Sequence, residues 1–418
     1  MGNRVIGVNE RPPFAESIPL SFQHLFAMFG ASILVPVLFK INPSTVLMMN
    51  GVGTLIYIFI TKRKVPAFLG SSFAFISPVF LVIGLYGYQA ALGGFIASGL
   101  VFITVALIFK FLGSDWIHTV FPPAAMGAIV AIIGLELAPV AANMAGFVPH
   151  NNQPLDMKTV IVSASTLLIV ILGSVLFKGF MRIIPILTGI VAGYIIAIFM
   201  GIVNWSAINS APWFSLPTLY SPVFNISAII IIIPASLVVI AEHIGHLIVT
   251  GNIIEKDLTK DPGLHRSLMG DGVSTLLSGF VGSVPTTTYG ENIGVLALTK
   301  VYSVWVIGGA AVISILISFI GKISTAIQTI PPAVMGGVSL MLFGVIAASG
   351  IRMLVEAKID YSKPKNLILT AFVLTIGLSG AHVKLGSVEL AGMALATVLS
   401  IVISLSFKLF EIAGLMND

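Results

Sequence analysis

Residues 121–135 read FPPAAMGAIVAIIGL, and residues 330–344 read IPPAVMGGVSLMLFG. Both carry PPA-x-MG, and their offset, 330 − 121 = 209, is half of the 418-residue chain. A second echo, FLGS at 68–71 against FVGS at 280–283, has the similar offset 280 − 68 = 212. Two echoes at nearly one spacing read as an internal duplication. The flanks of the first pair differ in charge. The earlier copy runs on through ELAPVAANMAG without Lys or Arg, whereas the later one runs on to Arg352, Lys358, Lys363 and Lys365. Positive charge collects at the cytoplasmic ends of membrane segments. The two copies are therefore expected to cross a membrane in opposite senses, which an odd number of spans per half produces.

The composition requires that membrane. The chain is 57% hydrophobic and 9% charged, with mean hydropathy +1.07. Soluble domains carry about 25% charged residues, so this chain cannot clothe a soluble surface. Apolar runs recur along its whole length. Spans are expected near 17–38, 43–61, 66–84, 88–110, 119–138, 159–177, 183–203, 226–249, 267–282, 285–299, 301–320, 331–350, 366–382 and 387–409, about 14 in all. With the N-terminus inside, about 17 of the 21 basic residues fall on the cytoplasmic side, leaving Lys40, Lys158, Lys322 and Lys384 outside. The start, MGNRVIGVNERPPFAE, reads as a polar tail rather than a signal peptide. It matches a myristoylation motif only weakly, because Ile6 stands where Ser or Thr is required. The chain has no cysteine, which excludes disulfides and thiolate metal sites. Its net charge of +5 reads as an orientation signal and not as a nucleic-acid patch.

Inverted repeats with interrupted helices are the architecture of secondary transporters, which bind cargo near the midplane where half-helix ends meet. Two stretches fit that description. Residues 283–300, SVPTTTYGENIGVLALTK, hold a helix-breaking Pro285, three threonines that favour extended backbone and Gly290, which permits close approach. They read as a short extended piece feeding a half-helix near Glu291. Residues 70–79, GSSFAFISPV, are the first-half counterpart, broken by small residues and Pro78. Freed backbone groups there must face a cavity, because lipid cannot satisfy them. The alternative is a re-entrant loop packed for structure alone.

A third stretch, VVIAEHIGHLIVTGN at 238–252, places an acid and two imidazoles inside an apolar run. A charge at the bilayer centre costs at least about 2.5–3.5 kcal/mol. Glu242 and His246 share a helix face, being four apart, while His243 lies about 100° away. The plain alternative is a helix end reaching water near Thr250–Asn252. Gln23 and His24 read equally well as a structural hydrogen-bonded pair. Asp271 reads as a cap on the ninth span, and Glu136, His118 and Glu389 as wetted span ends. EHIGH is not the zinc-protease order H-E-x-x-H; its histidines are three apart and no third ligand appears. Nucleophile-elbow and Walker motifs are absent, so neither an enzyme nor a nucleotide-driven pump is expected.

At these residues the chain resembles the nucleobase–ascorbate transporters, also called nucleobase–cation symporter-2. The family signature is a polar residue followed by N-x-G-x-x-x-x-T and a basic or small residue. Here it reads Glu291, Asn292, Gly294, Thr299 and Lys300. AEHIGH, the Gln23–His24 pair and LFGVIAASGIR (342–352) also match, and the resemblance runs from the first span to the last. It implies an all-α polytopic fold of fourteen spans in two inverted seven-span repeats. Spans 3 and 10 are broken by short strands. It further implies a cytoplasmic tail (1–16), a core domain (17–112 and 226–320), a gate domain (113–204 and 321–418) and an extracellular connection (205–225). By motif position, Glu242, Glu291, Phe73, Gly290 and Tyr289 would bind substrate. Glu242, His246 and Tyr289 would couple protons. Phe343 stands where the uracil-transporting branch commonly has tyrosine, so a hydroxyl is missing there. The purine branch often has Gln in place of Glu291, which favours uracil. The resemblance thus implies a homodimeric, proton-coupled importer of uracil in the inner membrane, with both termini cytoplasmic and no cofactor or metal.

The residues make chemical sense of that expectation. Uracil presents two N–H donors and two carbonyl acceptors in one plane. Two carboxyl groups can take the N–H hydrogens, and backbone N–H groups can bind the carbonyls. Such a site rejects analogues that leave its polar atoms unpaired. Burial disfavours an ionised carboxyl, so protonation of Glu242 is expected to complete the site. Rival readings are a purine symporter on the same scaffold, an anion exchanger and a passive facilitator.

Overall fold

The computed structural model describes residues 5–114, 116–149, 154–385 and 388–416. Residues 1–4 of the expected tail and Ser387, the expected start of the last span, lie outside the described residues. The first half runs α1 (Phe14–Phe39), α2 (Pro43–Ile60), β1 (Leu69–Ser71), a 3-10 turn (Phe73–Phe75), α3 (Ile76–Tyr86), α4 (Tyr88–Leu112), α5 (Ile117–Val120), α6 (Pro123–Met144), α7 (Met157–Leu176) and α8 (Pro185–Phe199). A short helix, α9 (Trp205–Ser210), sits in the expected central connection. The second half runs α10 (Ile226–Ile253), α11 (Leu264–Val281), β2 (Thr286–Thr288), α12 (Gly290–Thr299), α13 (Val304–Ser318), α14 (Gly321–Gln328), α15 (Pro332–Glu356), α16 (Pro364–Leu378), the hairpin β3 (His382–Leu385) and β4 (Val388–Ala391), and α17 (Gly392–Ile412). Apart from α9, the hairpin and short single-turn pieces such as Phe73–Phe75, the element order of the first half recurs in the second. Eight helices among the described residues are long and apolar enough to cross a membrane, and four shorter apolar helices accompany them. The protein is a polytopic membrane protein.

Local sequence sets the helix starts. Asn42 accepts from the Ser44 N–H at 2.9 Å and precedes Pro43, whose missing N–H costs nothing at a helix start. The two PPA-x-MG copies do the same with Pro123 and Pro332, each opening its helix. Asn225 caps α10 by accepting from the Ala228 N–H at 3.0 Å.

The PPA-x-MG helices α6 and α15 pack against each other. Glycine makes that approach possible. A Cβ on Gly134 would lie 2.1 Å from the Phe343 carbonyl oxygen, and one on Gly350 would lie 2.2 Å from the Ala131 nitrogen. Without a solvophobic drive between helices in lipid, such backbone proximity maximises dispersion contact.

The strands β1 and β2 pair antiparallel, with Gly70 opposite Thr287. Tyr289 N–H donates to Phe68 O at 3.2 Å and Ser72 N–H to Pro285 O at 2.9 Å, which extends the ladder at both ends. Hydroxyls satisfy its outer edges. Thr54 on α2 accepts from Leu69 N–H at 2.9 Å, and Thr275 on α11 donates to Thr286 O at 3.0 Å. Side-chain hydroxyls of neighbouring helices thus take up edge groups of a sheet buried among apolar helices, where lipid could not.

Three expectations change. FLGS forms β1, but FVGS ends α11, so the second echo does not mark equivalent elements; the spatial partner of β1 is Thr286–Thr288. The last span begins at Gly392 and not at 387, because the alternating segment after β3 forms β4. Asp271 is not a cap: α11 starts at Leu264, which places Asp271 mid-helix and fully buried.

Candidate functional site

Two half-helices begin beside each other in the interior, because each follows one strand of the antiparallel pair. Phe73 opens the turn into α3, and Gly290 and Glu291 form the first turn of α12. Neither start has a side-chain cap. The first N–H groups of a helix have no intrahelical partner, so both ends offer donors to whatever lies between them. The positive ends of the two helix dipoles converge on the same place.

The helix α10 packs alongside both starts. It carries Glu242 and His246, half-buried on one face, and His243, fully buried. His246 Nδ1 lies 2.8 Å from Thr288 O, the last residue of β2. A carbonyl only accepts, so Nδ1 bears the hydrogen and Nε2 is left with a lone pair. Nε2 faces the start of α12: a Cβ on Gly290 would stand 3.3 Å from it. Glycine at 290 therefore leaves this nitrogen uncovered. One oxygen of Glu242, Oε2, is buried with no hydrogen-bond partner among the described residues. Glu242 also lies within electrostatic range of Glu291 and Asp271. Tyr289 is buried, and its ring stacks on Phe73 at 6.3 Å between centroids and 14° between planes. Gly70 makes room for that ring, since a Cβ there would lie 2.1 Å from it. Phe73, Glu242, His246, Tyr289, Gly290 and Glu291 are thus brought together. Phe343 is fully buried on α15.

Behind this group lies a pair that sequence reasoning missed. His243 Nδ1 stands 2.8 Å from Asp271 Oδ2, with neither side chain exposed. Thr287 Oγ1 donates to the same carboxylate at 3.1 Å. The Thr288 hydroxyl lies 3.5 Å from His243 Nδ1 and 3.4 Å from His246 Nδ1, which links the two imidazoles. An acid between two glycines in MGDGVS was the available signal; nothing in spacing tells which histidine of another helix it meets.

The remaining motif residues hold the frame. Asn292 Oδ1 lies 3.3 Å from His24 Nδ1, and its Nδ2 donates to Pro66 O at 3.0 Å, tying α12 to α1 and to the lead-in of β1. His24 therefore pairs with Asn292, while Gln23 is half-buried beside it. Thr299 Oγ1 donates to Val295 O at 2.8 Å, and Lys300 closes α12 with φ of 56°. Gly294 has open space around it. Among the described residues, no group of three His, Asp or Glu could hold a metal ion.

Glu136 is not simply a wetted span end. It is half-buried, accepts from Ser77 Oγ at 2.6 Å and accepts from Met393 N–H at 3.0 Å. The side chain of Glu389 lies outside the described residues.

Residues 15–386 match the model of a family described as "Permease family". The chain is 63% identical over 414 residues to the uracil permease of Paenibacillus larvae subsp. larvae, covering 98% of each chain. It is 62% identical to the uracil permease of Escherichia coli (strain K12), covering 99% of this chain and 96% of that one. Against the uracil permease of Bacillus subtilis (strain 168) the identity is 46%, over 96% of this chain and 94% of the relative. Among solved structures, the transmembrane domain of a cyanobacterium bicarbonate transporter, BicA, aligns with a TM-score of 0.61 at 14% identity, covering 95% of this chain and 98% of that one. The murine Solute Carrier 26 family member A9 anion transporter, in the inward-facing state, aligns with a TM-score of 0.74 at 9% identity, covering 96% of this chain and 69% of that one. At such identities these two speak to the fold alone.

Proposed function

The chain belongs to this permease family, and on that footing we propose that it imports uracil together with protons across the inner membrane. It is a transporter and not an enzyme, as the family and the names of its relatives state. The observation that carries the substrate reading is the meeting of two uncapped half-helix starts with two acids, Glu242 and Glu291. Uracil's N–H groups go to the carboxyls, and its carbonyls to the backbone N–H groups near Phe73 and Gly290. The Phe73 ring, already stacked on Tyr289, offers a face to the planar cargo. Two acids at the site disfavour an anionic cargo, although the fold is shared with anion carriers.

Protons enter through the same groups. Glu242, with a proton, completes the cavity when cargo binds. His246 Nε2, whose lone pair faces the start of α12, receives or returns that proton. Proton loss on the inner side leaves two carboxylates facing each other and weakens the grip on uracil. One charge crossing 100 mV is worth about 2.3 kcal/mol, roughly fifty-fold accumulation.

The scaffold for this is fourteen spans in two inverted repeats, with a core (17–112, 226–320) moving against a gate (113–204, 321–418) in a homodimer. The repeated element order supports it, as do contacts that sort the ends into two sides. On one side, residues 6–8 hydrogen-bond to 300–304, the Arg63 and Arg11 guanidinium groups both lie over Trp305, and Lys64 pairs with Asp261. That is the side rich in Lys and Arg, assigned to the cytoplasm. On the other, Asn42 meets Thr218, and Lys322 meets the carbonyls of Ile208 and Asn209.

The test is uptake of labelled uracil into proteoliposomes with and without an imposed pH gradient. Accumulation that follows the gradient and collapses with a protonophore is expected. Gradient-independent equilibration would defeat the coupling, and stronger competition by xanthine or urate than by uracil would defeat the substrate.

A further inference from the structure

Glu136 has a double attachment that the substrate site does not use. It projects from α6, in the proposed gate. One carboxylate oxygen accepts from Met393 N–H, at the start of the 21-residue helix α17, also in the gate. The other sits in a notch over Gly392. That glycine has φ of 52°, and a Cβ there would lie 2.0 Å from Glu136 Oε1. A helix N-terminus favours a carboxylate, so the gate itself fixes this group. Among the described residues, its one hydrogen bond to the proposed core is the 2.6 Å bond from Ser77 Oγ. Ser77 lies four residues beyond Phe73, about 6–8 Å along the 3-10 turn and the start of α3 at 1.5–2.0 Å per residue.

The asymmetry matters for a machine that moves one domain against the other. The gate-side bonds of Glu136 survive any rigid motion of the core. The Ser77 bond does not, because a hydrogen bond of this length is lost beyond about 3.5 Å. Ser77 and Glu136 are both half-buried, so each can be hydrated once they part.

We propose that Glu136 is a docking residue of the gate that latches the core through Ser77 in the conformation seen here, and that release of this latch is an obligatory step of transport. The proposal rests on the core–gate reading given above.

The chain has no cysteine, so a Ser77→Cys/Glu136→Cys double variant gives a unique pair for a short bis-methanethiosulfonate bridge, reversed by reductant. The bridged protein is expected to bind uracil, to lose uptake to background and to regain it on reduction. Uptake at the unbridged rate would overturn the latch. Hydrogen exchange over residues 76–86 supplies an arm independent of cargo. Glu136→Ala is expected to speed exchange there about tenfold, as loss of an ordinary hydrogen bond implies. Glu136→Gln, which keeps an acceptor, is expected to stay near wild type. Unchanged exchange in Glu136→Ala would also overturn the latch. If wild-type protein fails to take up uracil in the same vesicles, the cargo assignment falls, while the exchange comparison still decides the latch.

Discussion

A glutamate inside a membrane helix needs partners to offset its burial, and one oxygen of Glu242 has none among the described residues. In the proposed function, cargo supplies that partner. Glu242→Gln keeps the shape of the side chain but cannot cycle a proton. It is expected to abolish gradient-driven uptake while leaving uracil exchange measurable, read in proteoliposomes under an imposed pH step; normal gradient-driven uptake would remove Glu242 from the coupling role. Glu291→Ala takes away the acceptor proposed for one uracil N–H, and calorimetry is expected to find uracil binding lost. The His243–Asp271 pair is a different case, since both partners are fully buried. Breaking a buried pair by removing one member costs about 3–5 kcal/mol, because the other is left uncompensated. Asp271→Ala is therefore expected to lower the unfolding midpoint markedly in a thermal assay in detergent, more than Glu242→Gln does. Equal midpoints would mean that the pair contributes nothing to the fold. Glu242, His246 and Glu291 were legible in the sequence because an acid in an apolar run announces itself. The Asp271 partner was not, because pairing between separate helices depends on their rotation, which no local pattern records.

Elements were legible where punctuation is strong. The three threonines behind Pro285 marked the strand that breaks the tenth segment, whereas Pro123 and Pro332, read only as parts of a repeat, turn out to open their helices. The hairpin β3–β4 escaped notice because the β4 residues are apolar enough to prolong the last span, while most of β3 lies in the short gap before it. The packing of α6 on α15 was hidden for another reason: PPA-x-MG revealed a duplication but not that the two copies touch. That contact does not involve every glycine of the two helices. At Gly134 a methyl group would meet a backbone carbonyl at 2.1 Å, which cannot move aside without parting the helices. At Gly344 nothing lies within 4 Å. Overpacking of this kind costs about 1–3 kcal/mol. Gly134→Ala is expected to destabilise by that order in a thermal-shift assay, and Gly344→Ala to be neutral. Equal behaviour of the two would show that α6 and α15 do not pack as described.

At the scale of the molecule, the duplication and the charge bias make one joint claim about orientation. If the repeats are inverted, the residues leading into the two PPA-x-MG helices lie on opposite sides of the membrane. His118, just before α6, is exposed beside Lys365 and Lys408, on the basic side. Gln328, at the end of α14, is exposed near Ser324, whose hydroxyl donates to Asn42 on the side of the central connection. These neighbours come from distant parts of the chain, so the assignment of sides does not depend on counting spans. A parallel duplication, by contrast, would carry both positions to the same face. In the cysteine-free chain, His118→Cys and Gln328→Cys each supply one thiol. In intact cells a membrane-impermeant maleimide is expected to label Gln328→Cys and to spare His118→Cys until the membrane is opened. Labelling of both from outside, or of neither, would rule out an inverted arrangement, and with it the symmetry that lets one core present its site to the two sides in turn.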